Sequence, residues 1–161
     1  MRWILLDALN IIHGCSLFCD LLPDKHLAAG ERLLDLSMPL VQGGACQLIV
    51  VFDGGAAGPV ASVIAVHPLL LVAHTPKNQS ADEFIVAAVR RIRRLRNSPS
   101  IAVVSDDGAI GAAVRALGCD VLSVALFAKK LRSYGQRQGE RLGQLRRLVE
   151  KKLPTVGDLI D

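Results

Sequence analysis

Four aspartates, Asp7, Asp53, Asp82 and Asp106, stand where the sequence pattern makes a strand end or a helix begin. Three of them follow short apolar runs: Arg2 to Leu6, Cys46 to Phe52, and Ile101 to Val104 with Ser105 between. Asp82 opens the stretch that begins at Ala81. Each run has strand length and is almost wholly apolar, as in parallel strands covered by helices on both faces. In such sheets ligands bind in the crevice beyond the carboxyl ends of the strands, so all four carboxylates are expected at one edge. Carboxylates gathered there repel one another unless some are protonated or a cation neutralises them. Oxygen ligands with no accompanying His or Cys cluster favour Mg²⁺ or Mn²⁺ over zinc. Such ions activate water and stabilise charge on a leaving oxygen, which makes phosphodiester hydrolysis in RNA or DNA the natural reaction.

Within that scheme Asp7 and Asp106 are direct ligands, Asp82 is a ligand directly or through water, and Asp53 is a ligand or orients water. Asn10, three residues after Asp7, can hold Asp7 or a phosphate oxygen. Each of these residues also has a structural reading. Asp106 and Asp107 lie where a helix begins and can cap it. Ser80 and Glu83 have the spacing of a capping box, which favours a structural Glu83. Ser105 and Asp107 flank Asp106 as supporting residues. Lys77 and Asn78 are close enough in sequence to Asp82 to contact a scissile phosphate, and equally suit an ordinary turn. Arg90, Arg91, Arg93, Arg94 and Arg96 occupy several helix faces, so they cannot all meet one ligand. Arg90 and Arg94, with Lys129 and Lys130, complete the candidate RNA contacts. His13, Cys15 and Cys19, with His26, lack a fourth zinc ligand at convincing spacing, so buried helix cysteines are the better reading. His67 and His74 read as core or surface residues.

Positioning these residues requires a layered frame. Leu69 to Ala73 and Val121 to Val124 add two strands, for five in all. Helical patterns run from Asp24 to about Val41, from Ala81 to Arg96, and from Gly108 to Leu117 with Gly118 as C-cap; residues 11 to 22 form a further, imperfect helix. Strands alternating with helices imply right-handed crossovers and a three-layer α/β fold with a mostly parallel sheet. Ser123 caps a short helix through Leu131, and Gln138 to Leu153 forms a separate basic helix stopped by Pro154. Residues 1–135 are thus expected to form the domain, and 136–161 a basic helical extension packed on it or projecting from it.

Composition agrees with one folded domain: 161 residues, 51% apolar and 21% charged. Asp7 interrupts the first apolar stretch and His67 with Pro68 the longest later one, so neither a signal core nor a membrane span is expected. A cytoplasmic protein with reduced Cys15, Cys19, Cys46 and Cys119 follows. Residues 1–80 hold four basic and six acidic side chains, and residues 81–161 fifteen and nine, so the net charge of +4 comes from a basic second half. That asymmetry suits a polyanionic partner or a solvated basic helix. The sequence contains no Gly-rich phosphate loop, GxSxG elbow or HExxH helix. A receiver-like reading lacks its lysine, since Lys129 falls within a helix.

The segments Ile4-Leu5-Leu6-Asp7-Ala8-Leu9-Asn10-Ile11-Ile12-His13, Val50-Val51-Phe52-Asp53, Thr75 to Glu83 and Val103-Val104-Ser105-Asp106 resemble, in this order, the NYN domain family and its YacP-like branch. The resemblance runs from about Arg2 to Leu131. It implies a PIN-like fold and a metal-dependent endoribonuclease, with a connection to mRNA decay on ribosomes in that branch. It carries over to Asp7, Asn10, Asp53, Asp82 and Asp106, and to Ser105 and Glu83 as secondary positions. Ala8 and Leu9 depart from the family's Gly and aromatic residue, and Asp107-Gly108 from its Asp-Arg, departures that bear on substrate fit. A non-catalytic RNA- or ribosome-binding adaptor is the alternative, and oligomeric state is open.

Overall fold

The computed structural model describes residues 1–22 and 24–152, with side chains as far as 147. Its six strands are β1 (Arg2–Asp7), β2 (Cys46–Phe52), β3 (Ser62–His67), β4 (Leu70–His74), β5 (Ile101–Val104) and β6 (Asp120–Leu122). They form one sheet in the order β3-β4-β2-β1-β5-β6. All neighbours are parallel except β3 and β4. Leu6 lies beside Val50 on one side and Val104 on the other, so the carboxyl ends of the three central strands are level. The chain moves outward from β1 in both directions, which puts the crevice of an α/β sheet at the top of β1.

Period-two alternation divides the apolar strand residues between two cores. Leu6, Leu48 and Val50 pack beneath α1 (Ala8–Gly14), α2 (His26–Gln42) and the start of α5 (Val124–Lys152), with Phe18 and Phe127 fully buried among them. Leu5, Ile49, Val51 and Val103 pack against Ile85 and Val89 of α3 (Ala81–Arg93) and Ile110 and Val114 of α4 (Gly108–Ala116). Each fully buried Leu, Ile or Val contributes about 1.5–3 kcal/mol. Cover on both faces accounts for the unbroken apolar runs.

The sheet has six strands where the pattern gives five. β3 pairs antiparallel with β4 at the edge, and Val63, Ile64 and Val66 remain exposed. Exposure on both faces removes the alternation by which a half-buried strand is recognised. The imperfect helix over 11–22 is in fact α1, starting at Ala8, followed by a 3₁₀ segment Ser16–Leu21. The two C-terminal helices are one: α5 runs through Gly135 and Gln136 without a break. An isolated glycine costs about 1 kcal/mol in a helix, too little to interrupt one without a proline. Buried Val124, Phe127 and Leu131 anchor its first turns, whereas Leu142, Leu145, Arg146 and Arg147 are exposed. The predicted stop at Pro154 lies outside the described residues. Gly118, in left-handed conformation at φ +73°, follows α4 as its spacing predicts.

Candidate active site

β1 ends at Asp7, the N-cap of α1, whose Oδ1 accepts from the Asn10 backbone N–H at 3.3 Å. That position fixes the side chain at the base of the crevice with only 7% of its surface exposed. Burial pushes its pKa up to about 6, assisted by Asp82 and Asp53 and opposed by the Asn10 N–H. Asp82, in the first turn of α3, is half-buried and lies beside Asp7 in the same cavity, where each carboxyl bears on the titration of the other. Its own pKa is raised by burial and then by the nearby charge of Asp107. Neighbouring carboxyls raise one another's pKa because both cannot ionise cheaply at close range.

Asp53 follows β2. Its Oδ1 accepts from the Thr75 hydroxyl at 3.3 Å and from the Ala81 backbone N–H at 3.1 Å, joining the end of β2 to the start of α3. Thr75 is fully buried, and its hydroxyl oxygen also accepts from Gly54 N–H at 2.8 Å. Gly54 and Gly55 turn the chain after Asp53 with φ +74° and +90°, and a Cβ on Gly55 would come within 2.9 Å of His74; only glycine suits that turn.

Asp106 is exposed beyond β5, and its Oδ1 accepts from the Val124 N–H at 2.9 Å, the first backbone group of α5. The Asp106 backbone N–H donates to Asn10 Oδ1 at 2.8 Å. Asn10 therefore links the two acids, its backbone to Asp7 and its side chain to the Asp106 loop. Buried Ser105 accepts from the Asp107 N–H at 3.1 Å. Asp107 caps α4 through Ala109 and Ile110 at 2.8 and 3.1 Å, so of the two adjacent acids only Asp107 is the α4 cap. Glu83 is engaged in the capping box with Ser80, the bonds being 3.0 and 3.2 Å long.

Asp7, Asp53, Asp82 and Asp106 line one cavity of about 500 Å³, together with Asn10 and His13. Thr75, which supports Asp53, is a residue that sequence reasoning missed, and His13, weighed there only as a zinc ligand, lines the cavity. Thr75 had one signal, a lone hydroxyl directly after an apolar strand. Lys77 and Asn78 are exposed in the turn before Ser80, and Lys129 and Lys130 are exposed on α5; none of them lines this cavity. Arg90 and Arg94 lie along α3, outside it. His13 and His26 rings are 5.8 Å apart, with Cys15 buried and Cys19 exposed.

Among the described residues no three His, Cys, Asp or Glu side chains are set to hold an ion as they stand. Asp7, Asp82 and Asp106 are thus not a ready-made three-ligand shell, and the zinc alternative around His13 is not assembled either. The donors nevertheless fit a hard divalent cation. All are carboxylate oxygens lining one cavity, and the burial and mutual repulsion that raise the pKa values of Asp7 and Asp82 are what a neutralising charge would relieve. Magnesium keeps several waters and takes one or two carboxylates along with substrate phosphate rather than a complete protein cage.

A mostly parallel sheet between helical layers, with aspartates collected at its carboxyl edge, fits a PIN-like α/β fold. The model of the YacP-like NYN domain matches residues 4–155, and the chain belongs to that family. The family is generally one of ribonucleases using divalent metals, and the function it carries is nuclease-type and RNA-related. The fold is similar to crystal structures of Rae1 (YacP) from Bacillus subtilis. One superposes with a TM-score of 0.74 at 22% identity, covering 94% of this chain and 84% of the other. A tryptophan-to-leucine mutant of that protein gives 0.75 at 20%, covering 91% and 85%. No curated protein matches the chain in sequence. Among the described residues no helix is long and apolar enough to cross a membrane.

Proposed function

We propose that this chain is an endoribonuclease that hydrolyses RNA phosphodiester bonds at Asp7 and Asp82, with Mg²⁺ or Mn²⁺ as cofactor. The observation that carries the proposal is the buried Asp7 carboxyl in one cavity with Asp82, Asp53 and Asp106. Asp7 and Asp82 would hold the ion, with Asp106 and Asp53 as further oxygen donors. The bound ion supplies charge neutralisation for the phosphodiester and a lowered pKa for the attacking water. The protein's contribution is position. Asn10 sets the Asp106 loop against Asp7, and Thr75 with Ala81 aims Asp53 into the cavity. Leu9 and His13 form part of the wall against which the substrate lies. Following the family resemblance, we place this activity in the cytoplasm, on mRNA and in association with ribosomes.

Internally labelled RNA incubated with the purified protein and Mn²⁺ tests the reading. Internal cleavage is expected, reduced at least about a hundredfold in Asp7→Asn and Asp106→Asn, a loss of about 3 kcal/mol in transition-state stabilisation. Equal cleavage by parent and variants would overturn it. RNA binding without cleavage, with or without added ribosomes, would favour the adaptor reading.

A further inference from the structure

A carboxylate pocket repels the polyanion it is meant to cleave, so the phosphates flanking the reacting one need a basic surface nearby. We infer that the groove along α3, between Trp3, Phe84, Arg91 and Arg94, is a second binding site that holds the single-stranded RNA leading to the carboxylates. The inference rests on the nuclease reading for its substrate.

The groove has a volume of about 620 Å³ and a largely apolar floor beside half-buried Trp3 and Phe84. Arg90, Arg91 and Arg94 rise along one side and no acidic residue lines it. Among the described residues the ion pairs are Arg2–Asp120 and Arg32–Asp20, so these three arginines have no carboxylate partner there. Their charge is available to phosphates. Aromatic faces beside guanidinium groups suit bases that stack without sequence preference, each stacked base contributing about 1–3 kcal/mol. A duplex, whose bases are already stacked, cannot use such a surface.

Continuity with the carboxylate cavity is direct. Gln79 lines the groove, and the next two residues, Ser80 and Ala81, line the cavity. From Asp82 to Arg94 the helix extends about 18 Å at 1.5 Å per residue. A strand leaving the cavity past Ser80, where exposed Glu83 is tied into the capping box, reaches the arginines of the groove along α3.

Trp3 is the only tryptophan of the chain and serves as an internal reporter. The full chain is titrated with a single-stranded oligouridylate in the presence of a chelator, which prevents hydrolysis, while Trp3 fluorescence and the anisotropy of labelled RNA are followed. Saturable quenching is expected. Arg91→Gln combined with Arg94→Gln should weaken binding about tenfold and reduce the slope of log K against log salt by about 1.4, as for two lost phosphate contacts on a single strand. Arg115→Gln on α4 should leave both unchanged, and unaltered unfolding curves should show that the variants are folded. A duplex of equal length should compete poorly. RNA binding that leaves Trp3 unperturbed, or that ignores the double substitution, overturns the inference, and absence of any RNA response at a protein that still cleaves would assign the groove to a protein partner instead. Quenching without cleavage in Mn²⁺ would leave the groove intact and remove the nuclease reading.

Discussion

Replacing Asp7 by Asn should make the metal-free protein more stable at neutral and alkaline pH while abolishing its cleavage of RNA. Asn has nearly the shape of Asp, its side-chain oxygen can accept from Asn10 N–H as an N-cap, and its amide carries no charge to repel Asp82. What disappears is a buried negative charge. In the folded protein Asp7 has a pKa of about 6 against 3.8 ordinarily, so between those values the folded state binds more protons than the unfolded one. Stability therefore falls as pH rises from about 4 through 6, and the loss is complete above. At 1.36 kcal/mol for each tenfold change in proton affinity, the full loss is on the order of 3 kcal/mol.

Relief of that loss in Asp7→Asn should raise the melting temperature by roughly 2–4 °C per kcal/mol in a protein of this size. The comparison is thermal unfolding of parent and variant across pH 4 to 8 with chelator present. The variant should melt higher at pH 8, and most of the gap should close toward pH 4, where the parent carboxyl is protonated in both states. Adding Mn²⁺ should reverse the order at pH 8, because an ion that binds only the folded parent stabilises it. A variant no more stable than the parent at pH 8, or a gap constant across pH, would refute the view of Asp7 as a desolvated carboxyl awaiting a cation.

Three other substitutions separate positioning from capping. Thr75→Val removes the hydroxyl that donates to Asp53 and accepts from the part-buried Gly54 N–H, while Asp53 keeps its bond from Ala81; urea unfolding should show a loss of about 1 kcal/mol, with reduced cleavage. Asn10→Ala cuts the link between Asp7 and the Asp106 loop; cleavage should drop about 10–100-fold, as for other residues that orient a metal ligand, and an unchanged rate would remove Asn10 from the site. Glu83→Ala opens the capping box of α3; stability should fall by about 1 kcal/mol while the cleavage rate per folded molecule stays, and a rate loss like that of Asp7→Asn would return Glu83 to the catalytic group.

How much of this could be read from the residues depended on how strongly local chemistry decides the structure. Strands buried on both faces announce themselves as short apolar runs, and β1, β2 and β5 lie where Arg2–Leu6, Cys46–Phe52 and Ile101–Val104 predict. Ser80 with Glu83, and Gly118, mark helix ends through their own hydrogen bonds or conformational freedom. β3 had no such signature, since it is held by pairing with β4 rather than by burial. Nor did the continuity of α5, because Gly135 alone does not reveal that packing at Phe127 and Leu131 already commits the chain to a helix.

The site shows the same division. Strand ends converge by topology, so the meeting of Asp7, Asp53 and Asp106 at one edge follows from the strand order alone. Which oxygen of each faces the cavity does not, because backbone N–H groups distant in sequence decide it: Ala81 for Asp53 and Val124 for Asp106. In both cases, and at Asp7 through Asn10, Oδ1 is taken by a backbone donor. Those bonds fix each carboxylate without neutralising its charge. Under the proposed function the residual repulsion, which raises the pKa values of Asp7 and Asp82, is what a divalent ion would relieve.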